Sequence, residues 1–447
     1  MFRFACAWFA WLTWSAGTAV AQPEPTPPPE PPAPIDPAPA PIDPAPVPIG
    51  PAPAPAPAPA PEPEPPLAVD PDLASNLQIH GFVTQGGFIS TANDYLGKSS
   101  RGSLELFEAG LNVSKEVADR LRVGMQLFSR DVGKLGNYAL QLDWAFVDYK
   151  YRPWLGFRAG HIKLPFGLYN EYSDIDSGRL AILMPQSVYP IGSRDVLLAH
   201  TGFAAYGTLD LGSGGELDYQ GFLGTFFIDP NTASTVGSVE VDSRYVAGGQ
   251  AIWSPPVEGL RIGASGLRAS IDYALQLDQK TIDLYIALGI APADFDGRVG
   301  LFLRPAHIVA GSVEYIKDRF GVAAEYSRWL FRIYTKPEII PLTDTDSERF
   351  YVRAGYRVND EVAVGAYYSV NHVEAGDHQG RNKTQFPVRE RAFQRDLAAT
   401  LRYDVNEFWL WKLEAHFIDG AADLDATDNP MPERYWGMFL ARTTLTF

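Results

Sequence analysis

The segment 435–447 reads YWGMFLARTTLTF and ends at Phe447 with no turn after it. Residues at alternate positions form two faces of an extended strand. One face is apolar and aromatic and carries Tyr435, Phe439, Ala441, Thr443, Leu445 and Phe447. The opposite face carries Arg442, Thr444 and Thr446. Aromatic side chains at both ends of the apolar face are typical of a strand that crosses a bilayer between two interfacial girdles.

The same alternation recurs along the chain, for example in LRVGMQLF (121–128), RFYVRAGYRV (349–358) and FWLWKLEAHF (408–417). No stretch after residue 22 has eighteen consecutive apolar residues, which excludes membrane-spanning helices. Any single segment also fits a half-buried strand of a soluble sandwich. Because the pattern is repeated over the whole chain, it favours an all-β fold, a transmembrane antiparallel β-barrel.

About sixteen strands are predicted. They begin near residues 77, 103, 120, 138, 155, 199, 215, 243, 259, 306, 319, 347, 361, 393, 407 and 433. Short turns follow the even-numbered strands and longer loops follow the odd-numbered ones, the longest at 165–198 and 273–305. Outer-membrane barrels have short periplasmic turns and long outer loops. The phase therefore predicts that both termini lie in the periplasm.

The first 21 residues predict a secretory signal peptide, because Arg3 precedes an apolar stretch (4–14) and a small-residue cleavage site (19–21). The alternative is a membrane anchor, which needs about twenty apolar residues, more than this stretch provides. Cys6 is the only cysteine and lies inside this segment. The mature chain is therefore predicted to have neither disulfides nor thiol chemistry.

Residues 22–72 predict a disordered Pro/Ala-rich periplasmic linker, followed by the barrel at 73–447. This segment holds well over half of the 38 prolines of the chain. Proline fixes φ and lacks a backbone N–H, so the segment cannot join a helix or a sheet and is expected to be extended, at about 3.1 Å per residue. Its role stays open between a passive linker and a stalk that touches the cell wall.

A barrel of this size leaves an aqueous channel, whereas a plugged transporter needs about twenty-two strands. We therefore predict a passive pore. The predicted pore-lining charges are of both signs: Arg122, Arg261, Arg349, Arg353, Arg357, Lys412, Glu108 and Glu414. The arginines at 349, 353 and 357 share one face of a strand, about 13 Å apart from one to the next. They form either a track for anions or ion pairs with acids on neighbouring strands.

The loop after the fifth strand, 165–198, is the candidate constriction. It contains an apolar run, Leu180 to Met184, that is unfavourable in water, and loops of this length usually carry function. The predicted constriction residues are Lys163, Asp174, Asp176, Arg179, Arg194 and Asp195. The alternatives are that this loop is an ordinary surface lid, or that the loop 273–305 is the plug.

Other chemistry is sparse. His372, Glu374, Asp377 and His378 offer metal ligands in the seventh loop, but a solvated outer loop is the favoured interpretation, and we predict no metal and no cofactor. We find no Gly-rich phosphate-binding loop and no nucleophile motif, so no enzyme is predicted. The formal net charge of −16 does not fit a nucleic-acid-binding protein.

Residues 158–167 read RAGHIKLPFG. This motif at a strand end, with Gly160, Lys163, Pro165, Phe166 and Gly167, resembles the phosphate-selective porin family (O and P type). The resemblance implies a passive, often trimeric channel for small hydrophilic solutes in the outer membrane of a Gram-negative bacterium. In that family phosphate selectivity needs an arginine ladder and a lysine cluster, of which this motif matches Lys163.

The terminal strand also resembles the closing strand of outer-membrane barrels. That resemblance implies recognition by the barrel-assembly machinery through the strand that ends at Phe447. Two functions therefore follow from the sequence. The first is a porin. The alternative is a structural tether or adhesin, in which the barrel serves only as an anchor in the outer-membrane lipid.

Overall fold

A computed structural model describes residues 77–226, 237–277, 279–287, 291–338, 342–426 and 428–447. The predicted signal peptide and Pro/Ala-rich linker lie outside these described residues. The described chain forms sixteen strands that close into one antiparallel barrel, each paired with its neighbours in sequence and the first paired with the last. The all-β barrel predicted from the sequence is thus confirmed.

The strands are β1 (Leu77–Ser90), β2 (Ser103–Ala118), β3 (Leu121–Val132), β4 (Leu140–Arg152), β5 (Leu155–Lys163), β6 (Ala199–Asp210), β7 (Glu216–Thr225), β8 (Gly237–Ser254), β9 (Leu260–Leu277), β10 (Arg298–Lys317), β11 (Phe320–Lys336), β12 (Thr343–Arg357), β13 (Val362–His372), β14 (Phe393–Asp404), β15 (Trp409–Gly420) and β16 (Tyr435–Thr446). Among the residues described, two short α-helices lie in the loops, α1 (Arg194–Leu197) and α2 (Gln279–Ala287). No helix among the described residues is long and apolar enough to cross a membrane.

The period-two pattern sets which way each side chain points. On β15, Trp409, Trp411 and Phe417 are exposed on the outer surface. The residues between them, Lys412 and Glu414, are buried inside the barrel. Because adjacent residues of a strand point to opposite faces, the outer surface becomes a belt of apolar and aromatic side chains and the inner wall becomes polar.

The barrel closes between β1 and β16. Phe82 pairs with Thr446 and Ser90 with Met438 in the antiparallel register. The last residue completes the ladder, since the N–H of Phe447 donates to the carbonyl of Gly81 at 2.9 Å, and the N–H of Gly81 donates to the carbonyl of Phe447 at 2.9 Å. Because the sheet closes fully, no described strand has an unpaired edge. An unpaired edge in lipid would leave backbone N–H and C=O groups without hydrogen-bond partners.

Two predicted boundaries were wrong by six residues or more: β8, expected near residue 243, begins at Gly237, and the loop between β9 and β10 was predicted too long. The loop expected at 273–305 is shorter, because β9 runs to Leu277 and β10 begins at Arg298. Leu275 pairs with Val299 in register, and both are buried against Ile282 of α2. The alternating apolar residues continue the ladder beyond the point where the sequence pattern predicts its end.

Candidate functional site

The loop between β5 and β6 lies inside the barrel. Its two ends meet where the N–H of Leu164 donates to the carbonyl of Leu198 at 2.8 Å. Between these points the chain forms three 3₁₀ turns, Asn170–Tyr172, Asp176–Gly178 and Ile191–Ser193, before it enters α1. We refer to residues 164–198 as the lumen loop, because its side chains contact inward-facing residues of the wall.

One side of the lumen loop is apolar. Its inward residues Leu164, Phe166, Met184 and Val188 are buried in one cluster with wall residues. The wall residues of this cluster include Ala204, Phe222, Val246, Leu267, Ile308, Trp329 and Tyr351. Removal of this apolar surface from water stabilises the loop by roughly 25 cal/mol per Å². The apolar run is divided between two clusters, since Met184 belongs to this one, whereas Ile182 and Leu183 are buried in a second one with wall residues such as Leu106 and Leu440.

Two wall carboxylates hold the backbone of the lumen loop. Glu414 on β15 accepts from the N–H groups of Ile182 and Leu183 at 2.8 and 2.9 Å. Glu325 on β11 accepts from the N–H of Leu168 at 2.8 Å and also from the hydroxyl of Tyr189. Both carboxylates are buried, so these bonds satisfy groups that would otherwise be costly to desolvate.

Asp176 is the main charged anchor of the loop. Its carboxylate lies 3.0 Å from the ammonium of Lys412 and 3.4 Å from the guanidinium of Arg442, and it accepts from the hydroxyl of Thr444 at 2.7 Å. Burial raises the pKa of Asp176, but the positive charges of Lys412 and Arg442 together have a larger effect in the opposite direction. The pKa therefore lies well below its usual range. Arg442 also contacts Glu108 on β2.

A second group of anchors lies toward β3 and β4. The ammonium of Lys163 lies 2.6 Å from the carboxylate of Asp174, which also accepts from the amide of Gln126 at 2.7 Å. Arg194 in α1 pairs with Asp143 on β4 at 2.7 Å. Burial raises the pKa of Asp174, and Lys163 and Arg194 lower it below the usual value.

The remaining predicted loop residues are placed as follows. Arg179 lies 3.6 Å from Asp176 and 3.9 Å from Glu108, and all three belong to the buried charge cluster around Arg442. A cavity of about 50 Å³ is lined by Glu108, Arg179, Arg194 and Arg442. Asp195 lies in α1, but its side chain is outside the described residues.

The part of the lumen near the short turns is lined by partly exposed arginines. Arg261 has 41% of its side chain exposed and donates to Glu314 at 2.9 Å, while Glu314 itself is only 2% exposed. Arg353 is 29% exposed, lies 3.5 Å from the same carboxylate, and stacks 3.9 Å from the ring centre of Tyr169 in the lumen loop. The cations of this group thus face the open space, and the acid lies behind them.

A similar pair lies on the opposite wall. Arg158 on β5 is 25% exposed and pairs at 3.1 Å with Asp148 on β4, which is 12% exposed. The sequence pattern predicts that Arg158 faces inward, since it lies between the outward positions 157 and 159. Its partner Asp148 can be identified only once the register between β4 and β5 is known. Arg122 on β3 is exposed and donates to Ser114 at 3.1 Å.

The arginines of β12 differ from one another. Arg349 stacks 3.8 Å from the ring centre of Trp329 and donates to the carbonyl of Ser187 at 3.3 Å, which holds it under the lumen loop. Arg357 pairs with Asp404 at 3.3 Å. Arg349, Arg353 and Arg357 share the inner face, but their partners differ, so they do not form an uninterrupted track.

A cavity of about 410 Å³ opens among the short turns, where Arg402 donates to the carbonyl of Ser177 at 2.6 Å. Its other lining residues include Glu361, Asp404 and Glu407. The tip of the lumen loop thus reaches close to the short-turn end of the barrel.

The four possible metal ligands of the seventh loop do not come together as a set. Asp377 accepts from the N–H groups of Arg381 and Asn382, and Glu374 accepts from Gln385. His372 and His378 instead lie beside Glu348, a residue of β12 that the sequence does not mark as their neighbour.

No protein-family model and no curated protein matches the chain. Solved structures with a similar fold include an anion-selective porin from Comamonas acidovorans (10% identity, 83% of this chain and 99% of that chain covered, TM-score 0.51). A second is the outer-membrane channel DcaP of Acinetobacter baumannii (11% identity, 83% of this chain and 97% of that chain covered, TM-score 0.50). A third is Salmonella typhi OmpF in complex with daunomycin (13% identity, 83% of this chain and 97% of that chain covered, TM-score 0.51). At these identities the similarity establishes the barrel fold.

Proposed function

We propose that the chain is an outer-membrane porin, a passive channel for small hydrophilic solutes, in which the lumen loop is the constriction. The barrel has the size at which an aqueous lumen remains, and its outer belt is apolar. The observation that carries the proposal is the lumen loop itself, which is anchored to inward-facing charges of β4, β5, β15 and β16. Solved channels of similar fold support it.

We further propose that the channel prefers anions. Three lumen arginines, Arg158, Arg261 and Arg353, keep a quarter or more of their side chains exposed. The carboxylates they pair with, on Asp148 and Glu314, are much less exposed. A solute that passes the wall therefore meets guanidinium groups first, and charges of one sign on a pore wall select the opposite sign. The phosphate preference of the resembled family is a narrower form of this proposal.

The proposed location is the outer membrane of a Gram-negative bacterium, with the short turns and both termini in the periplasm. In this arrangement the strand that ends at Phe447 is presented to the assembly machinery on the periplasmic side. A homotrimer, as implied by the family resemblance, completes the proposal.

Planar bilayer recordings test the function. We expect purified, folded protein to give stepwise ion conductance, with a reversal potential in a KCl gradient whose sign reports chloride preference. Folded protein that inserts but gives no conducting steps would contradict the channel. Conductance with a potassium-selective reversal potential would contradict the anion preference alone.

The second candidate is a structural tether or adhesin with the barrel as anchor. One observation favours it: the lumen loop covers wall residues such as Lys412 and Glu414 so completely that they are buried. Deletion of residues 22–72 separates the two functions. A porin retains its conductance after this deletion, whereas a tether loses its effect on envelope integrity.

A further inference from the structure

We propose that Glu348, His372 and His378 bind a zinc ion on the outer face of the barrel, near the long loops. Glu348 on β12 and His372, the last residue of β13, are partners in strand register. Because Arg349 faces the lumen, its neighbour Glu348 faces outward. His378 belongs to the loop 373–392, which folds back over this part of the wall. We call these three residues the outer-wall cluster.

The donor atoms of the outer-wall cluster converge. The Nε2 atom of His378 lies 2.7 Å from a carboxylate oxygen of Glu348, and the Nδ1 atom of His372 lies 3.8 Å from the same oxygen. One ligand atom from each residue lies within 4.8 Å of the others. Zinc binds imidazole nitrogen and carboxylate oxygen at about 2.0–2.2 Å in tetrahedral geometry, so its donors lie roughly 3.4 Å apart. Small movements create this spacing: the donors of His378 and Glu348, now 2.7 Å apart, must separate slightly, and the more distant donors must approach each other.

His372 provides an independent reason to expect a ligand. Its side chain is 10% exposed, and neither ring nitrogen has a hydrogen-bond partner among the described residues. The nearest carboxylate oxygen, at 3.8 Å, is beyond hydrogen-bond distance. A buried imidazole without a partner is costly, and a bound metal ion removes part of that cost by taking the lone pair of one nitrogen.

The two imidazole rings show which side chain must move. They are stacked with centroids 4.0 Å apart and planes only 8° from parallel. The lone pair of a ring nitrogen lies in the plane of its ring, and because these two planes are stacked and nearly parallel, one ion cannot lie in both of them. His378 is 45% exposed on its loop and can turn, whereas His372 is fixed in the strand. We therefore infer that the wall residues are prearranged and that His378 completes the site.

The neighbouring charges leave Glu348 available. The hydroxyl of Tyr326 donates to one oxygen of Glu348 at 2.8 Å, which orients the carboxylate and leaves the second oxygen toward the histidines. The nearby arginines have acids of their own, since Arg395 pairs with Asp419 and Arg328 pairs with Asp346.

The donor set selects the class of metal. Two imidazoles and one carboxylate, with a fourth position open to water, suit zinc. Calcium and magnesium require oxygen ligands and are disfavoured here. Bound zinc joins loop 373–392 to β12 and β13, so the metal is expected to hold this loop against the barrel.

The test is a zinc titration of the full-length mature protein in detergent, purified without a polyhistidine tag and stripped with a chelator. Calorimetry measures affinity, and tryptic cleavage at Arg381 and Lys383 in the loop measures its protection. The variants are His378→Gln and Glu348→Gln. The matched control is His80→Gln, which alters an exposed histidine of β1.

We expect one zinc ion per chain with a Kd of about 10 μM or tighter, and slower cleavage with zinc than with magnesium. Each cluster variant should weaken binding by about tenfold or more and lose the protection, whereas His80→Gln should bind as the unmodified protein does. Equal zinc affinity in the unmodified chain and in correctly folded His378→Gln and Glu348→Gln would overturn the proposal. Equal protection by magnesium would also overturn it.

Discussion

The ammonium of Lys412 lies 3.0 Å from the carboxylate of Asp176, donates to the Asp176 carbonyl at 2.6 Å, and neither side chain is exposed to solvent. Lys412 belongs to the barrel wall and Asp176 to the tip of the lumen loop. The pair therefore fixes the position of the loop across the lumen. Breaking a buried ion pair by removal of one partner costs about 3–5 kcal/mol, because the other charge is left buried and unpaired.

Lys412→Met is expected to release the tip of the loop and increase single-channel conductance. The reason is that Asp176 loses its nearest cation, although Arg442 and Thr444 remain. Lys317→Met is the matched control, since Lys317 is half-exposed and its carboxylate partner Glu258 is 3.9 Å away on the outside of a short turn. A conductance change of the same size in both variants would show that the effect is not specific to the loop.

Arg261→Gln combined with Arg353→Gln is expected to reduce the preference for chloride. Both guanidinium groups are partly exposed in the lumen, and their removal leaves the carboxylate of Glu314 without a cation. The measurement is the reversal potential in a KCl gradient. Arg298→Gln, which alters a largely exposed residue at the start of β10, should leave it unchanged. Unaltered selectivity in the double variant would contradict the role assigned to this wall.

Gly365→Ala is expected to displace the loop without any change of charge. A Cβ atom at residue 365 would lie 2.3 Å from a methyl carbon of Leu180 in the lumen loop. Overpacking of this kind typically costs about 1–3 kcal/mol. Gly311→Ala is the control, because a Cβ atom there meets nothing within 4 Å. Conductance and thermal stability should change for residue 365 and not for residue 311.

Acidification is expected to loosen the lumen loop only at low pH. Asp174 and Asp176 have depressed pKa values in the folded protein, so their stabilisation is present above about pH 4, the ordinary Asp pKa, and is lost as pH falls through the folded values. Conductance recorded between pH 7 and pH 3 should therefore stay constant at first and rise below about pH 4. Asp176→Asn should abolish much of this dependence. A transition centred between pH 5 and 7 would contradict the assignment.

Asp423 is expected to have the opposite pH dependence to Asp174 and Asp176, because its ionisation destabilises the folded protein as pH rises. Burial, with a smaller contribution from Asp396, raises the pKa of Asp423 to about 6, although Arg349 and the amide of Asn371 oppose the change. The contribution of protonated Asp423 to the stability of the folded protein is fully present below the ordinary Asp pKa. It is lost as pH rises through about 6. Asp423→Asn should therefore raise the unfolding temperature at pH 7 more than at pH 5, whereas Asp119→Asn at an exposed turn should not. An equal shift at both pH values would argue against ionisation as the cause.

The sequence predicts the barrel well because the relevant signal is local. Trp409, Trp411 and Phe417 alternate with Lys412 and Glu414, and a period of two needs no knowledge of other strands. The end of β9 was mispredicted, since Leu275 and Val299 support each other only once their strands are paired.

The site is harder to predict, because its contacts join distant residues. Nothing near Glu414 in the sequence indicates that it accepts from the N–H groups of Ile182 and Leu183. The apolar run of the loop predicts burial but not the wall that buries it. Likewise, Glu348 becomes a neighbour of His372 through strand register alone.

Single-channel conductance with a reversible cross-link tests the central claim most directly. The hydroxyls of Ser187 in the lumen loop and Ser369 on β13 lie 2.8 Å apart, so cysteines at both positions are placed to form a disulfide. In the Lys412→Met background, we predict that the oxidised protein conducts like the unmodified channel and that reductant added to the chamber enlarges the steps. Absence of conducting steps in the folded unmodified protein, or steps indifferent to both Lys412→Met and the cross-link, would contradict a channel constricted by this loop.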